Sequence, residues 1–255
     1  MNFKDQGIIL SIRKYSEYSL IIKILSHNHG ICCGFVPFAH KSVKNSYLYQ
    51  IGNLTEFTWR AKSMDSLGSF KIELIKSFLA EILSSHLKLK CLTNIVDIIE
   101  DNILEKEPHQ ELFISFLDLL NNLKQKDNIF LGNYIKLEIE LLQILGYGID
   151  LSKCAATGQK NNLYFVSPKS GRAVSKEAGE KYHNKLLKLP QFLIKKNLDS
   201  VNINKDDLLN GLRLSGFFIN KYLNKGENSD IENTRNKLVG LAEKLSIIDQ
   251  EQSLR

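Results

Sequence analysis

No stretch of this sequence approaches the roughly 18 uninterrupted apolar residues that a membrane-spanning helix requires, although 43% of its residues are hydrophobic. That apolar content is therefore expected to fill soluble cores, with no membrane partner. Cysteine is scarce: Cys32, Cys33, Cys91 and Cys154 are the full set. They are too few and too irregularly spaced for the disulfide framework of a small secreted domain. The opening Met1-Asn2-Phe3-Lys4-Asp5-Gln6 lacks the apolar core of a signal peptide, so a reduced, cytoplasmic protein is expected. Catalytic signatures are missing as well. There is no P-loop, no G-x-G-x-x-G, no H-E-x-x-H and no G-x-S-x-G. His27-Asn28-His29 lies within one turn, whereas HNH nucleases spread their residues over a ββα-metal unit, so a solvated turn is expected. Glu138 and Glu140 fall on different faces of a helical stretch and have the look of ordinary surface charge. A protein without catalysis is the expectation.

What is present is charge in blocks. The net charge is +6, but its distribution says more than its sum. Residues 1–80 carry ten Lys and Arg against five Asp and Glu, whereas residues 81–150 carry six against twelve. Residues 151–225 then carry fourteen against five. Two basic blocks flank an acidic one, which predicts two separate basic faces.

The first 75 residues have the periodicity of strands. Gly7 to Arg13, Ser19 to Leu25 and Ile31 to Val36 are β-branched and apolar, with a turn at His27-Asn28-His29-Gly30 and a stop at Pro37. From Leu54 to Lys62, Thr55, Phe57, Trp59 and Ala61 alternate with Glu56, Thr58, Arg60 and Lys62; Phe70, Ile72 and Leu74 alternate likewise with Lys71 and Glu73. Period two means one buried and one wet face. Five short strands suit a small closed barrel of the OB type, and an SH3-like barrel or an open sheet fits the same pattern. After Lys76 the spacing becomes helical. Helices are expected around residues 78–83, 95–99 and 112–120, then from about Asn133 to Leu145, near 205–224 and near 233–246. Residues 150–180 are expected to be irregular. The fold class is α+β multidomain: a five-stranded OB-like barrel over 1–76, then an all-helical domain over 77–255 with a loop-rich, zinc-less ribbon-like insertion at about 150–184.

Candidate binding residues follow from the wet faces. Arg13, Lys14, Lys23, Lys41, Lys44, Arg60 and Lys62 lie on outward strand faces or in connections, with Tyr15, Tyr18, Tyr47 and Tyr49 beside them. A barrel that tracks a single strand needs cations for phosphates and aromatics for bases; the same lysines and arginines would also merely solvate a barrel. In the helix near 205–224, Arg213, Phe217, Phe218 and Lys221 suit an acidic, apolar-ended peptide, though burial in the helical core would explain the apolar excess equally. Cys154-Ala155-Ala156-Thr157, with Ser167 to Ser170 further on, has the outline of a zinc ribbon in which only one of four positions is cysteine. Hydroxyls do not hold zinc at neutral pH, so no metal and no cofactor is expected.

The ordered set of segments resembles the RecO family of recombination mediators. GIILSIRKYSEYSLIIKILSHNHG resembles the family's first two strands and turn, with its R-x-Y/H-x-E element at Arg13, Tyr15 and Glu17. GNLTEFTWRAKSMDSLGSFKIEL resembles its fourth and fifth strands. LLQILGYGIDLSKCAATG resembles its entry into the ribbon loop, and YFVSPKSGRAVSKEAGEKYHNKLLKLPQFL the variant of that loop without zinc cysteines. The resemblance spans most of residues 7–225. It departs after the third strand, where Phe38-Ala39-His40-Lys41-Ser42-Val43-Lys44 replaces a basic segment that carries arginine in many members. The resemblance implies an OB-fold domain and a helical domain, in a nucleoid-associated DNA-repair protein of the cytoplasm. It also implies binding of single-stranded DNA, annealing of complementary strands and action with RecR, often with RecF, to help RecA onto DNA coated with single-strand-binding protein, whose acidic C-terminal tail members also dock. An OB-fold RNA-binding protein and an interaction scaffold that touches no nucleic acid remain as alternatives.

Overall fold

The computed structural model describes residues 1–39, 47–63, 66–195, 203–223 and 230–252. The chain forms two compact units, one from Met1–Ser84 with Val96–Leu123 and the other from Ser85–Ile95 with Lys124–Arg255.

The first unit is built on five strands: β1 (Asn2–Lys14), β2 (Leu20–Ser26), β3 (Gly30–Val36), β4 (Leu54–Arg60) and β5 (Gly68–Lys76). They close in the order β1-β2-β3-β5-β4, with β4 returning to β1. Every pairing is antiparallel except the short parallel contact of β3 with β5. That order is the OB-type closure, so the sheet is neither open nor SH3-like. The core holds Ile9, Leu20, Ile22, Ile24, Cys32, Val36, Phe57, Trp59, Phe70 and Ile72, the alternate residues that period two assigns inward. In β1 the inward residues are Ile9 and Ile12, three apart. A bulge accounts for this: Ile9 pairs with Ile24 and Ser11 with Lys23, leaving Leu10 as the additional residue.

Residues Gly7 to Leu10 are buried on both faces, because helices of the same unit cover the barrel's outside. After α1 (Leu79–Leu83), the second half of α2 (His86–Asn102) and all of α3 (Gln110–Asn121) belong to this unit. Ser11 Oγ donates to Glu100 at 2.7 Å, and the His27 ring meets Phe113 edge-on at 5.0 Å. Lys106 N–H donates to the Ile31 carbonyl at 3.0 Å. The turn His27-Asn28-His29 is tied rather than freely solvated: Asp5, whose side chain is 6% exposed, accepts from Ser26, from Asn28 and from His29. Gly30 closes the turn at φ +69, and a side chain there would meet the Glu107 backbone at 2.2 Å, so both the angle and the approach demand glycine.

The second unit contains the first half of α2 with α4 (Asp127–Ile144), β6 (Leu163–Val166), β7 (Ala173–Ser175), α5 (Lys176–Gly179), β8 (Leu187–Lys188), α6 (Lys205–Tyr222) and α7 (Asp230–Gln252). Helix α4 begins six residues before the expected Asn133, because Gly132 sits buried inside it and does not break it. The segment expected to be irregular holds β6 and β7, which with β8 just beyond it form a three-stranded antiparallel sheet in the order β7-β6-β8. Its strands of two to four residues are too short for alternation to show. The richness of α6 in apolar residues is explained by burial: Leu208, Leu209, Leu212, Phe218 and Ile219 are all enclosed.

Glu138 is the largest departure from the sequence reading. It is fully buried, not surface charge. Its carboxylate accepts from Tyr134 at 2.6 Å, from Ser215 at 2.6 Å and from the guanidinium of Arg235, whose second nitrogen also donates to the Leu212 carbonyl at 2.7 Å. Residues from α4, α6 and α7 thus converge on one ion pair. A single carboxylate in a helix gives no local sign that its cation stands on another helix.

Candidate nucleic-acid interface

Strand register, rather than any one motif, assembles a row of outward side chains across the barrel. Arg13 pairs with Ile21, Ile21 with Phe35, Phe35 with Ser69, and Ser69 with Arg60. Paired residues share a face, and in each strand these are the members pointing away from the core. Arg13, Ser69 and Arg60 are exposed, while Ile21 and Phe35 are half-buried. Both arginines stand on ordered strands, and among the described residues neither has an ion-pair partner.

The neighbouring row is closed off. Lys23 pairs with Ser11 and Cys33, and its ammonium lies 3.6 Å from both Glu100 and Glu105. Its charge is met within the unit, so it does not join the row of Arg13 and Arg60. The carboxylates there also act on Cys33: burial first and Glu105 second push its thiol upward. The barrel's cationic face is accordingly the one left uncovered by the helices of its own unit.

Beside the open row lies a groove of about 620 Å³ lined by Tyr15, Phe35, Arg60, Ala61, Lys62, Leu67 and the β5 residues Gly68 and Ser69. Tyr15 stands edge-on to Phe35 with ring centroids 5.7 Å apart. The lining contains no carboxylate among the described residues. Lys14 is exposed at the end of β1. Lys41 and Lys44 lie outside the described residues. Tyr18 and Tyr47 are exposed, whereas Tyr49 packs against the barrel core. Phe35 and Leu67 were not singled out in the sequence; the period that turned Cys33 outward would have pointed to Phe35.

On the second unit the expected peptide surface is partly consumed by the fold. Phe218 is fully buried and Phe217 is 39% exposed. Lys221 donates to the carbonyls of Pro168 and Lys169 at 2.8 and 3.4 Å and lies over the Tyr222 ring at 4.8 Å. Arg213 is exposed. A different groove, of about 330 Å³, is lined by Lys136, Ile139, Glu140 and Gln143 of α4 with Leu151, Leu193, Ile194 and Lys195. Lys136 Nζ donates to the Lys195 carbonyl at 2.6 Å, and burial lowers the pKa of Lys136 against an opposing pull from Glu140. The α4 residues recur at the three- and four-residue spacing of one helix face, but their grooved partners come from a later segment and left no local trace in sequence.

The ribbon-like loop keeps the shape of a knuckle with the wrong donors. Cys154 N–H donates to Gln159, and Gly158 N–H returns to Cys154. The group facing the thiol is Ser175, whose amide donates to Sγ at 3.2 Å with its hydroxyl at 3.5 Å. Ser167 and Ser170, expected there, instead form the turn between β6 and β7. Burial works to raise the Cys154 thiol, but donors from Ser175 and Thr157 outweigh it and bring the pKa down to about 6. One thiolate and two hydroxyls do not fit zinc. Among the described residues no group of three or more His, Cys, Asp or Glu is placed to hold a metal ion, and no helix is long and apolar enough to cross a membrane.

Comparison with known proteins gives a consistent result. The family profile described as recombination protein O, N terminal, matches residues 1–78, and that described as recombination protein O, C terminal, matches residues 83–230. The chain is 38% identical over 223 residues to the DNA repair protein RecO of Rickettsia canadensis (strain McKiel), covering 88% of this chain and 90% of that relative. To the DNA repair protein RecO of Wolbachia sp. subsp. Drosophila simulans (strain wRi) it is 38% identical over 244 residues, covering 94% and 100%. Rickettsia conorii (strain ATCC VR-613 / Malish 7) has a protein of the same description at 35% identity over 223 residues, covering 88% of this chain and 91% of that relative.

Proposed function

Because the chain belongs to the RecO family of DNA repair proteins, we propose that it is a recombination mediator without catalytic activity. Its barrel binds single-stranded DNA along the row of Arg13 and Arg60, with Lys14 and Lys62 beside it; Lys41 and Lys44 remain candidates for the same role from the sequence alone. It anneals complementary strands, and with RecR, and RecF where present, it helps RecA replace single-strand-binding protein on DNA. The observation that carries the reading is the open row: cations with no ion-pair partner among the described residues, beside an aromatic-lined groove whose described lining has no carboxylate, the combination that a single strand's phosphates and bases call for. An RNA-binding protein would show a preference that depends on the 2′-hydroxyls, and a scaffold indifferent to nucleic acid would show no salt-sensitive binding of single strands.

The test is annealing of complementary oligonucleotides precoated with the cognate single-strand-binding protein, in the absence of ATP. Annealing above the uncatalysed rate is expected. A rate no faster than that of the coated strands alone would overturn the reading.

The acidic tail of single-strand-binding protein is the partner proposed for the second unit. Arg213, Phe217, Phe218 and Lys221 were the first candidates, yet Phe218 is enclosed and Lys221 is already hydrogen-bonded. The groove lined by Lys136, Ile139, Glu140, Leu193, Ile194 and Lys195 offers apolar walls for terminal side chains and the Lys195 ammonium for a carboxylate, with Lys136 held against the Lys195 carbonyl.

A further inference from the structure

We propose that Tyr15 and Phe35 form a stacking slot that takes one unpaired base of the bound strand, so that the groove selects unstacked, single-stranded DNA. This rests on the single-strand reading above and adds to it the residue that reads the base rather than the phosphate.

Tyr15 lies just past the end of β1, where its N–H and that of Ser16 both donate to the Ser19 carbonyl. The backbone there is fixed, yet Tyr15 is 66% exposed. Folding gains little from an aromatic ring held in water, since the benefit of such a ring comes from its burial. What orients it is the edge-on contact to Phe35, at an interplanar angle of 84°. The pair therefore offers two rings nearly perpendicular to one another, Tyr15 exposed and Phe35 half-buried, in a geometry set before any ligand arrives.

The rest of the groove fits a flat occupant. Leu67, 53% exposed, is a further apolar side chain of its lining. Gly68 cannot carry a side chain, because a Cβ there would stand 2.0 Å from Trp59 Nε1 in the barrel core. The lining at this position is backbone alone, with Ser69 beside it. Arg60 and Lys62 supply positive charge to the same groove. An apolar slot with a π-face and cations beside it matches a planar base joined to a phosphodiester. A base inside a duplex has both faces covered by its neighbours and cannot enter. The slot would read no sequence, since every base has a π-face.

The consequence for annealing is specific. A base held in the slot is withdrawn from stacking with its neighbours along the strand, so the strand is presented locally unstacked to its complement. The slot then empties as the base pairs.

The experiment is a titration of fluorescent oligothymidylate with the full-length chain by anisotropy across a salt series, for wild type, Tyr15→Ala, Tyr15→Leu and Tyr15→Phe. Both Tyr15→Ala and Tyr15→Leu are expected to lose roughly tenfold in affinity with an unchanged log–log salt slope, because stacking releases no counterions. Tyr15→Phe is expected to bind like wild type. On an abasic strand of equal length the penalty of Tyr15→Ala should disappear. If Tyr15→Ala binds oligothymidylate as wild type does, or is equally impaired on the abasic strand, the slot is wrong while the single-strand reading stands. Loss of affinity accompanied by a flatter slope also removes the slot, since Tyr15 then acts through the phosphate contacts. If the wild-type chain itself fails to bind single strands, the reading beneath the slot falls instead.

Discussion

Glu138 on α4 and Arg235 on α7 are separated by 97 residues in sequence and meet as a two-pronged ion pair with no exposure to solvent on the carboxylate side. The Coulomb gain has to offset the desolvation of both groups, and Tyr134, Ser215 and the Leu212 carbonyl help by supplying the further hydrogen bonds such a buried pair needs. The neighbours are affected in the expected sense: burial first and Glu138 second push the Tyr134 hydroxyl and the Cys91 thiol well above their ordinary range.

Removing one member leaves the other buried and unpaired. Arg235→Met is therefore expected to destabilise the second unit by about 3–5 kcal/mol, and Glu138→Gln by a similar amount. The double variant Glu138→Gln/Arg235→Met should lose less than the sum of the two. Urea denaturation of all three, combined as a double-mutant cycle, measures the coupling; additive losses would show that the pair does not act as a unit.

Along the barrel, the two cationic rows should separate in a salt titration. Arg13→Ala and Arg60→Ala are each expected to flatten the log–log dependence of single-strand affinity by about 0.7, the value for one neutralised phosphate. Lys23→Ala should leave the slope unchanged, because Glu100 and Glu105 already balance that charge. Flattening by Lys23→Ala with none from Arg13→Ala would move the strand to the helix-covered side.

For the peptide groove, Lys195→Glu is expected to weaken binding of an acidic tail peptide about tenfold, the effect of losing one charge-assisted contact. Arg213→Glu, outside that groove, should change it little. Isothermal titration of both variants decides between the sites, and the opposite ranking would return the tail to α6.

Cys154 makes a prediction about pH. Its thiol titrates at about 6 in the folded chain against an ordinary value of 9.0. A pKa lowered by folding stabilises the fold fully above the unfolded value and loses that stabilisation as the pH falls through the folded one. Between pH 6 and 9 the melting temperature of wild type should therefore rise relative to that of Cys154→Ser. Equal profiles would mean that Ser175 and Thr157 do not hold a thiolate. Elemental analysis of the same samples is expected to find no stoichiometric zinc.

The barrel was legible in the sequence because alternation is a local property. Phe57, Trp59, Phe70 and Ile72 mark the inner face by their spacing alone, and the same spacing left Arg60 outside. The bulge at Leu10 was hidden, since four consecutive apolar residues look alike whether a strand is regular or bulged. The site was legible as a set of cations but not as a geometry. Nothing near Lys23 in sequence announces Glu100 and Glu105, and nothing near Lys136 announces Leu193. Ser175 was missed for a related reason: the spacing of Ser167 and Ser170 mimicked a second knuckle, while the residue that reaches Cys154 is set by strand pairing in a sheet too short to be read.

The barrel's closure has one thin seam. Strand β3 meets β5 over only two residue pairs, Gly34 with Gly68 and Phe35 with Ser69, and the rings of Phe70 and Trp59 occupy the space that side chains on the two glycines would need. Local opening favours the places with the fewest ladder bonds, so amide hydrogens at this seam exchange with solvent before those of the β1–β2 and β4–β5 ladders. Phe35, Gly68 and Ser69 also line the open groove. A ligand that binds there only while the seam is shut draws the opening equilibrium toward the closed form in proportion to its occupancy. On the proposed reading a bound strand would serve as the barrel's clasp, and the most weakly laced part of the wall would become the part most strengthened by its own ligand.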